Sequence, residues 1–337
     1  MTLNAPRLGD MAQSLTLRSH AARLKADLAD RSQEVATGRA ADLVRHLGGD
    51  TARLAALERD LAMTAPLRRL QAEAASRAAA MQTALESIQS RLEPLGATLR
   101  NAASAGVPAE IAAATGEARD AFGAAVAALN TSAAGRSLFA GGAVGGPAVA
   151  PAEDMLDDLR AAIGGETDAA TIAGLVRDWF APGGGFETAG YLGATEPAAA
   201  VPLGQAETVA LDLRADDPTL RGVLAAAALG ALAADPALDL PEATSRALFG
   251  AAAADAMAVR DPMTELRAAL GTKEARIEQA GVRLQAVRAG AEMARAALVG
   301  VDEYEAATRV EALGHKLESL YAVTVRLSRL TLLEQLR

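Results

Sequence analysis

The sequence predicts a mainly α-helical chain: an elongated antiparallel bundle of long helices with terminal coiled-coil helices and a small mixed α/β insertion domain. Three observations support this prediction. Apolar residues recur at three- and four-residue steps near both ends and in two long inner segments. Hydrophobic residues make up 51% of the chain, much of it alanine, whereas aromatic residues make up 3%, which favours closely packed helices. A glycine- and proline-rich stretch at residues 135–151 cannot continue the helical pattern.

The N-terminal helix is predicted from about Asn4 to Gly38. The stretches Thr37-Gly38-Arg39 and Gly48-Gly49-Asp50 interrupt the pattern, because glycine is the usual residue that ends a helix. The helical period resumes at Thr51. The beginning of the chain therefore forms a separate helix, followed by a short irregular segment.

A long inner helix follows, from about Leu67 to Ala103. Its strongest heptad consists of Met81, Leu85, Ile88, Leu92, Leu95 and Leu99. Pro66 is expected either to kink this segment or to begin a new first turn, and Pro94 is expected to bend it. A turn at residues 106–108 then leads into another helix at residues 109–130.

The middle of the chain mixes short elements. Helices are predicted at residues 154–163, 168–180 and 220–233, the last with Asp217 as N-cap and proline in its first turn. Pro241 begins another helix that reaches Phe249. Residues 201–204 and 208–214 alternate between apolar and polar side chains, which predicts two strands.

The C-terminal segment returns to long helices. From Pro262 the apolar period continues to Val301, slips between Gly300 and Glu305, and resumes at Val310. A phase slip of this kind marks a stutter or hinge. Gly300, Asp302 and Tyr304 are the predicted hinge residues.

The order of these segments predicts three regions. A terminal coiled-coil assembly region comprises residues 1–50 and 300–337. A long-helix rod domain comprises residues 51–136 and 256–299. A mixed insertion domain, facing outward, comprises residues 137–255.

Both ends of the chain carry an apolar stripe that needs a partner surface. An assembly interface is therefore predicted at Leu17, Leu24, Leu28, Val35, Val310, Leu313, Leu317, Leu320, Leu327 and Leu330. The alternative is a helix pair within one closed bundle, because apolar seams are often internal. The two interpretations are compatible, since a terminal pair can also contact neighbouring subunits.

The composition gives no indication of an enzyme or a nucleic-acid-binding protein. The formal net charge is −9, so there is no basic excess to neutralise phosphates, and the chain has no cysteine. The histidines His20, His46 and His315 have no metal-ligating neighbour at helical spacing. No catalytic, cofactor-binding or metal-binding residue is predicted. Apolar runs are too short for membrane insertion, and no cleavable signal peptide is expected.

Three segments resemble the flagellin superfamily, and most closely its hook–filament junction branch, the hook-associated protein type L. Residues 28–39 are similar to the stretch where the first helix of the family ends at a Thr-Gly step. Residues 130–141 are similar to the passage into the variable insertion, and residues 302–337 are similar to the family's C-terminus. One difference is Leu47-Gly-Gly-Asp50, which stands where the family usually has Asp-Asp-Pro.

The resemblance implies a non-enzymatic structural subunit of the bacterial flagellum, which is an extracellular organelle of motility. The implied partners are copies of itself in a ring, a neighbouring hook-associated protein, flagellin, an export chaperone and the flagellar type III export apparatus. The nearest alternative is flagellin itself, the filament subunit. A cytoplasmic coiled-coil scaffold or signalling protein is a further alternative, against which the predicted strands of the insertion argue.

Overall fold

The computed structural model describes residues 6–105, 107–143, 145–204 and 206–335. The described helices are, in chain order, α1 (Pro6–Thr37), α2 (Leu43–His46), α3 (Ala52–Ala105), α4 (Pro108–Leu129), α5 (Ala152–Ile163), α6 (Ala169–Phe180), α7 (Pro218–Leu232), α8 (Glu242–Ala258), α9 (Arg260–Val299) and α10 (Glu303–Gln335). The prediction of a mainly α-helical fold with a small mixed insertion is confirmed.

The long helices differ from the predicted ones chiefly in their ends. Asn4, the predicted start of the first helix, lies outside the described residues. The inner helix α3 is longer than predicted and continues through both Pro66 and Pro94, so Pro66 begins no new helix. The helix predicted from Pro241 to Phe249 extends in α8 to Ala258. The N-cap at Asp217 is confirmed, because its carboxylate accepts the Thr219 N–H at 2.8 Å.

Strands are sparse. Among the described residues β1 (Ser132–Ala133) pairs antiparallel with β2 (Arg136–Ser137), and β3 (Val201–Pro202) pairs antiparallel with β4 (Thr208–Val209). The strand predicted over residues 208–214 was therefore wrong beyond Val209. Its apolar residues Val209 and Leu211 are buried as the alternation required, but the backbone of residues 210–214 has no partner strand. A π-helical turn at Phe186–Gly190 was not predicted.

The chain divides into two compact units. The terminal unit comprises residues 1–64 and 286–337, and the middle unit comprises residues 65–285. In the terminal unit α1 packs against α10.

The middle unit contains one hydrophobic core. Its central element is α7, which packs against α4, α5, α6 and α8. Every residue of α7 from Val223 to Leu232 is buried, as expected for a helix that is apolar on all sides. The large side chains that are fully enclosed include Phe122, Phe139, Phe186, Phe249, Met81, Leu85, Leu95, Leu99 and Leu129.

Within the middle unit α3 and α4 form an antiparallel helical hairpin. One groove is lined by residues 80–87 of α3 together with residues 124–131 of α4 and the turn after it, and a second by Arg91 and Pro94 together with residues 113–121. Residues earlier in α3 therefore face residues later in the chain. The same helix is tied to α9, because the Gln82 amide donates to the Arg267 carbonyl at 2.8 Å.

Candidate assembly site

The two terminal helices form an antiparallel pair. The Lys25 ammonium lies 5.6 Å from the ring centroid of Tyr321. At the other end of the pair, the Ala40 N–H donates to the Val299 carbonyl at 2.9 Å. Because the partner number falls as the position in the N-terminal segment rises, the helices run in opposite directions.

Most predicted interface residues lie on the contacting faces of this pair, but none of those described is fully buried. The half-buried leucines and valine are Leu17, Leu24, Leu28, Val310, Leu313, Leu317, Leu320 and Leu327. Val35 is more exposed, with 39% of its surface accessible. Leu330 lies in α10, but its side chain is outside the described residues. The seam is thus covered only in part by the chain itself.

A buried carboxylate occupies the last seam position of α1, next to the exposed Val35. Glu34 is 3% exposed, and its carboxylate accepts hydrogen bonds from the Arg31 guanidinium at 2.6 Å and the Ala41 N–H at 3.1 Å. Burial raises the pKa of Glu34, but the hydrogen bonds from Arg31 and Ala41 and the charges of Arg31 and Arg309 outweigh it and lower the pKa below 4.5.

Glu34 was not predicted, because the heptad pattern is recognised from apolar residues and placed Val35 in the seam. The available signal was an Arg and a Glu spaced three residues apart immediately before the Thr-Gly step.

A backbone joint ties together the ends of the two helices that Glu34 adjoins. Gly38 ends α1 with a left-handed φ of +65° and donates its N–H to the Glu34 carbonyl at 2.8 Å. Its own carbonyl accepts the Val301 N–H at 3.1 Å, and Arg39 pairs with Gly300 as an antiparallel bridge. The helix interruptions of the N- and C-terminal segments are therefore hydrogen-bonded to each other.

The predicted hinge residues lie at this joint. A Cβ on Gly300 would stand 2.7 Å from the Ala296 carbonyl oxygen, closer than such contacts occur. Asp302 begins α10 as its cap, and its carboxylate accepts the Glu305 N–H at 2.9 Å. Tyr304 is 84% exposed. Motion at these residues stays a prediction.

The terminal unit has few buried apolar side chains. Among its described residues the buried hydrophobic ones are Ala40, Leu54, Val299 and Ala306. On α10, Tyr321, Val323 and Val325 expose 43%, 50% and 50% of their surface. The described part of this unit thus offers apolar helical surface without a core of its own to enclose it.

Within the described ranges, no three His, Cys, Asp or Glu side chains come together as a metal site. No described helix has the length and apolar character needed to cross a membrane.

The C-terminal helical segment matches a known family. Residues 255–336 match the family described as the bacterial flagellin C-terminal helical region. This match supports the resemblance to the flagellin superfamily and does not distinguish its branches. No curated protein matches the chain.

The matched flagellin region begins in α8 and includes all of α9 and the described part of α10. It therefore contains α10, which is the C-terminal helix of the pair, and the residues Gly300 and Val301 of the backbone joint. The match supports a structural, self-assembling subunit of the bacterial flagellum, which is extracellular. Flagellins are structural proteins rather than enzymes.

Proposed function

We propose that this chain is a structural subunit at the junction between the flagellar hook and filament, assembled through α1 and α10. The observation that carries the proposal is the contrast between the two units. The middle unit fully encloses many large apolar side chains, whereas the seam leucines whose side chains are described in the terminal unit stay half-buried. A helix pair left in this state lacks the burial that normally stabilises coiled coils.

Neighbouring subunits would complete the seam. Full burial of a leucine is worth roughly 1.5–3 kcal/mol relative to exposure, and a half-buried leucine retains about half of that gain for assembly. Summed over the seam leucines, this gain offsets the conformational entropy lost when terminal helices become ordered. The predicted interface residues are therefore the positions at which substitution should reduce assembly most.

The three predicted regions would have separate roles. Residues 1–50 and 300–337 would form the inner tube, and residues 51–136 and 256–299 the rod. The insertion at 137–255 would face outward. A hinge at Gly300, Asp302 and Tyr304 would let the inner layer tilt relative to the rod, which suits a joint between a flexible hook and a stiffer filament.

The partners follow from this position. Copies of the chain would form a ring, bounded by another hook-associated protein on one side and by flagellin on the other. The chain would reach the cell exterior through the flagellar type III export apparatus, with an export chaperone covering its apolar ends. The preference for the junction over the filament rests on the resemblance at residues 28–39, 130–141 and 302–337.

Assembly behaviour separates the junction subunit from the filament subunit. Purified protein is added to isolated hooks, and the product is examined by electron microscopy. A junction subunit forms a short ring on the hook end and stops, whereas a flagellin grows long filaments. Long filaments would replace the proposal by its nearest alternative.

Location tests the remaining alternative. An antibody against residues 137–255 should label sheared extracellular flagella at the hook–filament boundary. Absence of the protein from sheared flagella, with recovery in the cytoplasm, would favour a coiled-coil scaffold.

A further inference from the structure

We propose that Met257 of α8 is an oxidation site in the middle unit, at which the Arg100 guanidinium selects one sulfoxide epimer and then binds its oxygen. A hydroperoxide is the oxidant. The proposal does not depend on the proposed function, because it involves no residue of the terminal unit. It rests on the way in which Gly96 and Arg100 of α3 surround the Met257 side chain.

The Met257 side chain lies against α3 at a position where that helix has no side chain. A Cβ on Gly96 would stand 3.4 Å from the Met257 Cγ and 3.8 Å from the Ala253 carbonyl oxygen, so α8 packs closely on α3 at this point. A glycine inside a helix normally lowers stability relative to alanine. Gly96 therefore has a packing role: it places the Met257 side chain over this turn of α3.

Arg100 covers one side of the Met257 sulfur. It lies one turn after Gly96 on the same face of α3, and its Nη2 group donates a hydrogen bond to the Met257 Sδ at 3.0 Å. A thioether sulfur has two lone pairs, and this hydrogen bond uses one of them. Met257 is 47% exposed, so a small oxidant in solvent can reach the sulfur. The lone pair that Arg100 leaves free is the one open to attack.

The other described methionines do not combine exposure with a cationic donor. Met63 and Met293 are 62% and 68% exposed, but neither sulfur accepts a hydrogen bond from a described Arg or Lys, and both residues belong to the terminal unit. The remaining methionines with described side chains are fully buried: Met81, Met155 and Met263. Among the described side chains of the middle unit, Met257 is thus the one exposed methionine.

The oxidation step uses the free lone pair of the sulfur. This lone pair attacks the terminal oxygen of the hydroperoxide, so that an S–O bond forms as the O–O bond breaks. The sulfur loses two electrons. The peroxide is reduced to an alcohol or to water, because the proton of the transferred oxygen moves to the oxygen that leaves. Since the new oxygen takes the place of the free lone pair, one configuration at sulfur forms in excess.

The sulfoxide binds Arg100 more strongly than the thioether does. Thioether sulfur is a weak acceptor, whereas the polar sulfoxide oxygen accepts a charge-assisted hydrogen bond from a guanidinium. The Arg100 side chain is exposed, so a small shift brings it from the sulfur to the oxygen, which stays in contact with solvent. Methionine oxidation usually disrupts packing. At Met257 it would instead strengthen the contact between α3 and α8.

The configuration at sulfur is the decisive measurement. Full-length folded protein is treated with hydrogen peroxide and digested, and the peptides are incubated separately with the two classes of methionine sulfoxide reductase, each of which reduces one epimer. Mass spectrometry then gives the epimer ratio at each methionine. We expect an excess of about fivefold at Met257, the factor that one ordinary hydrogen bond supports, and nearly equal epimers at Met63 and Met293. Equal epimers at Met257 would overturn the proposal.

Substitution of Arg100 tests the cause of the selectivity. Arg100→Ala should give nearly equal epimers at Met257, because both lone pairs are then open to the oxidant. Arg91→Ala, at another exposed position of α3, is the matched control and should keep the excess. If the excess persists in Arg100→Ala, Arg100 does not select the epimer and the proposal is wrong.

Calorimetric unfolding tests whether Arg100 binds the product. The change in the Tm of the middle unit on oxidation should be about 2 °C more favourable in the unmodified chain than in Arg100→Ala. Met257→Leu keeps an apolar side chain over Gly96 but has no sulfur, so peroxide should leave its middle-unit Tm unchanged. An equal Tm change with and without Arg100 would show that the sulfoxide is not bound by Arg100, and would overturn the proposal.

Discussion

Glu34 shows how one buried polar side chain can define where α1 ends. Its carboxylate accepts one hydrogen bond from Arg31 on the same helix and another from the Ala41 N–H, which lies beyond the glycine turn. An apolar residue at this position would fill the seam equally well but would leave the Ala41 N–H without this acceptor. Glu34 is therefore both a packing residue and a link between α1 and the segment that follows it.

We predict a pH-dependent effect of Glu34→Gln. Because the folded-state pKa of Glu34 is lowered below 4.5, its ionised form stabilises the fold above that pH, and this contribution is lost as the pH falls through the folded-state pKa. At pH 7 the substitution should lower the free energy of unfolding of the terminal unit by about 1–3 kcal/mol, and the difference should shrink in strongly acidic buffer.

Unfolding followed by circular dichroism at pH 7 and at pH 3 measures this effect. Glu311→Gln, at an exposed position of α10, is the matched control and should have little effect at either pH. Equal destabilisation by Glu34→Gln at both pH values would show that the charge of Glu34 is unimportant.

Gly300 is required by close packing rather than by an unusual φ. We expect Gly300→Ala to destabilise the terminal unit by about 1–3 kcal/mol, since the new Cβ would stand 2.7 Å from a backbone oxygen that can move only with its helix. Gly314→Ala is the control within α10: a Cβ there meets no atom within 4 Å, so the unit should gain about 0.5–1 kcal/mol. Thermal unfolding of both variants measures these changes in stability. If Gly300→Ala is as stable as the unmodified chain, the backbone joint accommodates the added Cβ without cost.

At the level of elements, helices were predicted correctly from the sequence where a local signal, such as a capping residue, marks their ends. The aspartate before α7 and the proline at its first position predicted α7 well, and the apolar period predicted α9 well. The strand at residues 208–214 was wrong beyond Val209 because the antiparallel register pairs Val209 with Val201, and residues 196–200, which a longer ladder would need as partners, form no strand. Side-chain bonds hold the segment instead. Asp212 binds Lys273 at 2.5 Å, and Arg214 binds Asp216 at 2.8 Å.

Long-range contacts explain what the sequence could not supply at the candidate site. The stripe residues were recognisable from their spacing, and the structure places the described ones on or beside the α1–α10 seam. The backbone joint between Gly38 and Val301 was not recognisable from the sequence, because a hydrogen bond between residues so far apart in sequence leaves no local pattern.

Element stability should differ strongly along the chain. In the free monomer, amide protons of residues 6–30 and 308–335 should exchange at least tenfold faster than those of residues 266–298, because the terminal seam is half-exposed whereas Leu270 and Ile277 are 3% and 2% exposed. Hydrogen exchange followed by mass spectrometry measures this. Equal protection in the three segments would indicate a closed bundle that needs no neighbouring subunit.

At the scale of the whole molecule, the two units divide folding from assembly. The middle unit has an extensive core and should fold without partners, whereas the described part of the terminal unit has little buried apolar surface. A subunit built in this way can be stable and soluble as a monomer and still gain free energy on joining a lattice. The last turns of α10 provide the most direct test of this division.

Deletion of residues 326–337 should leave a folded, soluble monomer that no longer enters flagella. It removes Leu327 and Leu330, and two leucines that each gain about half of the full burial energy on assembly contribute together roughly 1.5–3 kcal/mol. Incorporation should therefore fall by about ten- to a hundredfold, while the Tm of the middle unit is unchanged. Protein recovered from sheared flagella is measured by immunoblot, with full-length Arg326→Ala as the control at an exposed position. If the truncated chain supports normal filaments, the end of α10 is not an assembly element, and the interface must be sought on the remaining faces of the helix pair.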